Sequence, residues 1–270
     1  MDDTDIQAIK TGMLFDADNT HAVAKTLQTY YAHSVVPPLV CDPVCVSTSG
    51  HTLLHPQAAE IMINEIFPLA ALITPNKSEA ELFLSHRNLP CEINDLEGMI
   101  VAAQNLGTFG PHAVLLKGGH TTVTTSDVQR VSRNHAQICV VEDGMLNENM
   151  EILQVPGQPA SALQLVVDVL YQDKRVTLFL RPRIDSTSTH GTGCTLSAAL
   201  ACGLGRGLSR LYFRTNYLVH CVLTTKSTVL DTIISATAYT HLGIETAFLF
   251  GKGNGPLNHM HSSLYRIVPP

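Results

Sequence analysis

The chain has 270 residues, 45% of them hydrophobic and 15% charged, with a formal net charge of −6. That length supports one large domain or two small ones, and the composition excludes an intrinsically disordered chain. The acidic balance argues against a nucleic-acid partner or a polybasic membrane surface. No apolar run approaches the roughly 20 residues of a membrane helix. The acidic opening Met1–Asp5 lacks the apolar stretch of a secretory signal. Seven cysteines, at 41, 45, 91, 139, 194, 202 and 221, show no CxxC spacing, and their odd number suits reduced thiols in the cytoplasm. Cys41 and Cys45 have no matching second pair, so burial is the expected reading for them.

In chain order, Ile6 to Thr11 reads as a short strand ending at Gly12. A helix is expected over Asn19 to His33, capped by Asp18 or Asn19 and stopped before Pro37-Pro38. Leu39-Val40-Cys41 is a short apolar strand, and residues 56–67 look helical. Ala70 to Thr74 is a buried strand, stopped by Pro75, and a helix runs from Asn76 towards Leu84. Residues 94–107 are helical again, and Ala113 to Lys117 is a strand ending in Gly118-Gly119. Strands alternating with helices predict βαβ units and a parallel sheet, whose ligands sit beyond the carboxyl ends of the strands. Residues 121–164 are polar and irregular, and read as an excursion from the sheet, part hairpin and part loop. Leu165 to Tyr171 and Val176 to Leu180 then predict a hairpin around Gln172-Asp173-Lys174.

The most informative stretch is His190-Gly191-Thr192-Gly193-Cys194-Thr195-Leu196-Ser197. Two glycines permit a tight turn, and the residues after them form helix strongly. Such a turn presents free N–H groups at a helix N-terminus, which is an anion site. Cys194 there would feel the positive end of the helix dipole, which eases deprotonation. Spacing alone leaves a second reading open, a flexible loop ahead of a core helix.

This stretch resembles the signature of the ribokinase-like small-molecule kinases, and most closely the hydroxymethylpyrimidine and phosphomethylpyrimidine kinases of thiamine biosynthesis, which carry Cys in the turn. Six more segments match that family in order: Lys10-Thr11-Gly12-Met13-Leu14, Asp42-Pro43-Val44, Ser49-Gly50, Thr74-Pro75-Asn76 with Glu79, Lys117-Gly118-Gly119-His120, and Gly251-Lys252-Gly253-Asn254-Gly255-Pro256. The resemblance implies one α/β domain over 1–270, a three-layer sandwich with a mostly parallel central sheet. It implies transfer of the γ-phosphoryl of ATP onto hydroxymethylpyrimidine and then onto its monophosphate, with Mg²⁺.

By resemblance, the amides of Gly191, Thr192, Gly193 and Cys194 hold the developing charge. Cys194 faces the substrate hydroxyl, as a weak base or a positioning group. Asn76 and Glu79 form an N-x-x-E element in which the carboxylate organises Mg²⁺ through water, against a plain capping role. Asp42 helps with the cation or the phosphates, or is a turn residue. Lys117 reaches the ATP phosphates, and Gly251 and Gly253 lie near the nucleotide. Met13 and Val44 touch the pyrimidine ring, or simply pack. GxxxxGK[ST] is absent. His259 and His261 lack a third metal ligand and read as structural.

Two departures from the family stand out. No glycine-rich segment precedes Lys10, as if about a quarter to a third of a usual domain, including N-terminal strands, were missing. An apolar sheet edge is then expected to be exposed. Residues 208–232 look like an insert, read as translation of an unspliced intron, or else as a lineage-specific loop. The alternatives to the pyrimidine kinase are a pyridoxal kinase and an inactive fragment that retains nucleotide binding. The family implies a possible homodimer, a small-molecule pyrimidine partner, and neither nucleic acid nor membrane.

Overall fold

The computed structural model describes residues 5–33, 37–45, 54–119, 121–135, 137–142, 164–206, 228–248 and 255–260. The first strand, β1 (Ile9–Thr11), is followed by α1 (Ala17–His33) and β2 (Leu39–Cys41). Helix α1 starts ahead of the expected caps: the Asn19 amide donates to Asp16 Oδ1 at 2.8 Å, so Asp16 takes the capping role. The helical stretch expected at 56–67 is three pieces. They are α2 (Pro56–Ile61), a π-helical turn (Met62–Ile66) and a 3₁₀ turn (Phe67–Leu69), where Pro68 cannot donate to a helical ladder.

Next come β3 (Leu72–Ile73), α3 (Lys77–His86), α4 (Leu96–Gly107) and β4 (Ala113–Leu116), close to expectation. The polar stretch after β4 differs from expectation. It holds β5 (Thr122–Val123), a helix α5 (Thr125–Asn134) and β6 (Ile138–Glu142), and both strands join the main sheet. A capping box in which Thr124 and Asp127 exchange hydrogen bonds starts α5, and Val128 and Val131 anchor it. Val128 and Val131 share one face but are the only buried residues of an otherwise polar helix, and its polar residues dominated the reading. The rest of the expected excursion, 143–163, lies outside the described residues.

The hairpin of β7 (Leu165–Gln172) and β8 (Arg175–Pro182) turns on two residues, one shorter than expected. Asp173 (φ 50°) and Lys174 (φ 61°) are both left-handed, the backbone a tight two-residue turn needs. Helices α6 (Thr192–Gly205) and α7 (Thr228–Glu245) complete the fold. Most of the suspected insert lies outside the described residues, but its last part, from Thr228, is the first turns of α7. There Thr232 packs so tightly on α6 that a Cβ on Gly203 would stand 2.6 Å from its Cγ2.

Among the described residues the strand order is β1-β2-β3-β4-β7-β8-β6, with β5 on β7. Strands β1 to β4 pair in parallel, β7 runs antiparallel between β4 and β8, and β6 is parallel to β8. Side chains alternate between two apolar layers. Leu39, Cys41, Val114 and Leu116 face one layer with α1 to α4, while Val40, Ala113 and Leu115 face the other with α6 and α7. This is the expected three-layer α/β sandwich, with β1 at one edge of its sheet. Among the described residues no helix is long and apolar enough to cross a membrane.

Candidate active site

Parallel pairing brings the carboxyl ends of β1 to β4 into one row, and their last residues meet there. Asp42, just past β2, is 1% exposed and takes hydrogen bonds from three sides. Lys117 Nζ donates to Oδ1 at 2.9 Å, Thr74 Oγ1 donates to Oδ1 at 3.3 Å, and Ser197 Oγ lies 3.1 Å from Oδ2. Lys10 Nζ stands 3.9 Å from Oδ2. A buried carboxylate needs this kind of pairing to remain charged.

Asn76 and Glu79 close a capping box at the start of α3. Glu79 N donates to Asn76 Oδ1 at 2.9 Å, and Asn76 N donates to Glu79 Oε2 at 2.8 Å. Glu79 is no surface residue, being 2% exposed. Burial pushes its carboxyl above the usual range, while Lys117 and the backbone N–H groups of Asn76 and Cys45 pull it back. For Lys117, burial alone would lower the ammonium. The charges of Asp42 and Glu79, with the Asp42 hydrogen bond, outweigh that and hold it above its ordinary value.

A test of Glu79 follows from its raised pKa. The folded state holds this proton more tightly than the unfolded chain, so Glu79 ionisation costs stability as pH rises through its titration. Glu79→Gln keeps the capping geometry without the charge. The stability of Glu79→Gln relative to wild type is expected to grow as pH rises from about 4.5 and then level off. Urea melts between pH 4 and pH 7 measure it, and a difference independent of pH would contradict it.

The glycine turn at 190–194 opens helix α6. Gly191 is the helix cap in left-handed backbone (φ 85°), which favours glycine, and no side chain caps α6. The Thr195 amide donates to Gly191 O at 2.9 Å and begins the helical ladder. The Thr192 hydroxyl turns back onto the Thr189 carbonyl. No protein acceptor takes the amides of Gly193 and Cys194 among the described residues. Cys194 is exposed. Ser197, one turn on, has Gly193 O at 3.0 Å, Cys194 O at 3.1 Å and Asp42 Oδ2 at 3.1 Å within reach of its single hydroxyl proton, so the buried hydroxyl sits between the turn and the β2 carboxylate. A Cβ on Gly193 would lie 3.2 Å from Lys117 Nζ. Lys117, Asp42 and the glycine turn therefore share one small volume.

Lys117 is held from below. The Gly118 amide donates to Asp168 Oδ1 at 2.9 Å, and Asp168 Oδ2 accepts from Arg181 at 3.3 Å. Met13 (53% exposed) and the half-buried Val44 follow β1 and β2, whose ends are neighbours in register. Gly251 and Gly253 lie outside the described residues, as does His261. The described chain resumes at Gly255: His190 N donates to Gly255 O at 3.2 Å, and His190 pairs with Pro256, beside the turn. Cys41 and Cys45 are buried, as expected. Burial pushes the Cys41 thiol up to about 12, and Cys45 Sγ bonds Pro43 O at 2.9 Å.

Sequence reasoning gave no role to Ser197, Thr74, Lys10 or Asp168. Asp168 carried a usable signal, a lone carboxylate inside the apolar run Val166-Val167-Asp168-Val169-Leu170, which burial obliges to find partners. Ser197 carried none, because its partner is 155 residues away.

Comparisons with known proteins give the family. A hydroxymethylpyrimidine/phosphomethylpyrimidine kinase of Rhizobium meliloti is 30% identical over 261 residues, covering 96% of this chain and 73% of that protein. A bifunctional thiamine biosynthesis protein of Geobacter sulfurreducens is 31% identical, covering 96% of this chain and 39% of that protein. Among solved structures, the ADP complex of Bacillus subtilis pyridoxal kinase superposes with a TM-score of 0.66 at 24% identity, over 98% of this chain and 74% of that one. At this identity the likeness shows the fold alone. The phosphomethylpyrimidine kinase of Clostridium difficile superposes with a TM-score of 0.50 at 24% identity, over 86% of this chain and 68% of that one. The sequence profile of phosphomethylpyrimidine kinase matches residues 1–151 and 149–211, and with that match the chain belongs to the phosphomethylpyrimidine kinase family.

Proposed function

We propose that this chain transfers the γ-phosphoryl group of ATP to 4-amino-5-hydroxymethyl-2-methylpyrimidine and then to the resulting monophosphate. The observation that carries the reading is the meeting of Lys117, Asp42 and the open amides of Gly193 and Cys194 at one end of the sheet. Phosphoryl transfer is chiefly a matter of positioning and charge stabilisation, and a cation beside a preorganised N–H turn supplies both. The family match and the relatives above support the substrate.

In this reading the substrate hydroxyl oxygen attacks the γ-phosphorus, the bond to the ADP oxygen breaks, and ADP leaves. The amides of Gly193 and Cys194 and the Lys117 ammonium hold the charge of the transferred group, and Gly191 and Thr192 shape the turn. Cys194 faces the attacking hydroxyl, Met13 and Val44 border the ring, and Gly251 and Gly253 lie by the nucleotide. Asn76 and Glu79 hold the β3–α3 corner through their capping box. The carboxylates fit Mg²⁺ only in an outer role: Glu79 is closed in its cap and Asp42 is ringed by donors, so both would act through water on an ion carried by the phosphates. Such an ion, when bound, neutralises charge on the β- and γ-phosphates.

The deciding experiment follows ADP release and product mass with the pyrimidine and, separately, with pyridoxal. Higher kcat/KM for the pyrimidine, with mono- and diphosphate products, is the expected result. Turnover of pyridoxal alone would overturn the reading, as would no turnover of either. The two transfers also differ in a proton. The hydroxyl must lose one, whereas the monophosphate carries about −1.5 to −2 charge at neutral pH and has an ionised oxygen ready to attack. Cys194→Ala is therefore expected to slow the first transfer about 100-fold and the second by less than 10-fold, if Cys194 takes the proton. Equal slowing of both transfers would make it a positioning group.

A further inference from the structure

We propose that Lys10 is the cation that receives the phosphate of the monophosphorylated pyrimidine, and so sets the efficiency of the second transfer more than the first. The inference rests on the two-transfer reading above. Asp42 sits between two ammonium groups that are held differently. Lys117 makes a hydrogen bond to Oδ1 at 2.9 Å. Lys10 stands 3.9 Å from Oδ2, beyond hydrogen-bond reach, while Ser197 Oγ lies nearer that oxygen, at 3.1 Å. Lys10 thus has a charge partner but no hydrogen-bond acceptor among the described residues, and its three N–H donors are available. Its side chain is also the more accessible, 25% exposed against 14% for Lys117.

The placement of the two lysines separates their tasks. Lys117 follows β4 and shares its volume with the glycine turn, where the transferred group is held in this reading. Lys10 belongs to β1, on the other side of Asp42, and leads directly to Met13 at the expected ring end. Gly12 keeps that approach bare, because a Cβ there would stand 2.9 Å from Lys10 Nζ. In the first transfer the group next to Asp42 is a neutral hydroxymethyl. In the second it is a phosphate monoester anion, which the Asp42 carboxylate repels unless a cation intervenes. Lys10 supplies that cation and holds the non-reacting oxygens. A third monoester oxygen attacks the γ-phosphorus, the bond to the ADP oxygen breaks, and ADP leaves with the electron pair. With the monoester fully ionised, no proton moves.

The test measures both transfers separately for wild type, Lys10→Met and Lys10→Arg. Lys10→Met is expected to lose about 10- to 100-fold more kcat/KM with the monophosphate than with the unphosphorylated pyrimidine, mostly through KM. Lys10→Arg should recover most of that difference. Equal losses on the two substrates would overturn the proposal. A wild-type enzyme that turns over neither substrate would instead count against the proposed function. Should the Met variant fail to fold, the wild-type protein still decides: acylation of Lys10 by acetic anhydride, read by mass spectrometry, should be blocked by the monophosphate and not by the unphosphorylated pyrimidine. Equal protection by both, or by neither, would overturn the proposal.

Discussion

Lys117→Met is expected to lower kcat by about 100- to 1,000-fold at saturating ATP and pyrimidine, the cost of removing one preorganised donor from a developing oxyanion. The variant keeps the length and apolar stem of the side chain and deletes only the ammonium that bonds Asp42 at 2.9 Å beside Gly193. Lys117→Arg should recover little, because a planar fork does not fit where a Cβ on Gly193 would already lie 3.2 Å from Nζ. Stability must change as well, with a defined sign. The folded-state pKa of Lys117 is raised, so its pairing stabilises the fold fully below the unfolded value near about 10.4 and is lost as pH rises through the folded value. The stability advantage of wild type over Lys117→Met should therefore hold at pH 7 and shrink above that range. A kcat loss of less than 10-fold would remove Lys117 from the phosphate site.

Gly118→Ala is expected to be the most damaging single methyl in the described part of the chain. A Cβ there would stand 1.8 Å from the backbone oxygen of Val167 and 2.8 Å from its carbonyl carbon, and neither can move without shifting β7. The same residue donates its amide to Asp168 at 2.9 Å, so the strand cannot simply slide away. Destabilisation of about 3 kcal/mol or more is expected, roughly 6–12 °C in Tm for a chain of this size. Activity should fall in parallel, because Lys117 is the preceding residue. Thermal melts check it, and Gly119→Ala is the control, since a Cβ at Gly119 meets nothing within 4 Å. A Gly118→Ala variant as stable as that control would show that β4 and β7 do not approach as described.

Much of the element order was readable because apolar period and turn chemistry act over a few residues. Leu39-Val40-Cys41 and Ala113 to Leu116 are short apolar runs bounded by proline or glycine, and both are strands. Gly191 and Gly193 before a helix-forming run marked the α6 terminus. Helix α5 was not read as a helix because it buries only Val128 and Val131, although its Thr124–Asp127 cap was in plain view. The start of α1 was misplaced because Asp16, Asp18 and Asn19 are all competent caps, and the backbone path out of β1 selects among them.

The site divides the same way. The sequence by itself determined which residue types were available and where they stood on their own elements: Asp42 after a strand, Asn76 and Glu79 on a first helical turn, Lys117 before two glycines, Cys194 in a glycine turn. Only the tertiary structure decided that Asp42 is shared by Lys117, 75 residues away, and by Ser197, 155 residues away. It alone buried the Glu79 carboxylate, and left Lys10 beside Asp42 without a hydrogen bond to it. The physical reason is range. Capping, turn geometry and periodicity are set by neighbours in the chain, whereas charge pairing and burial depend on which strand lies next to which, and that follows from packing the whole sheet between its two helical layers.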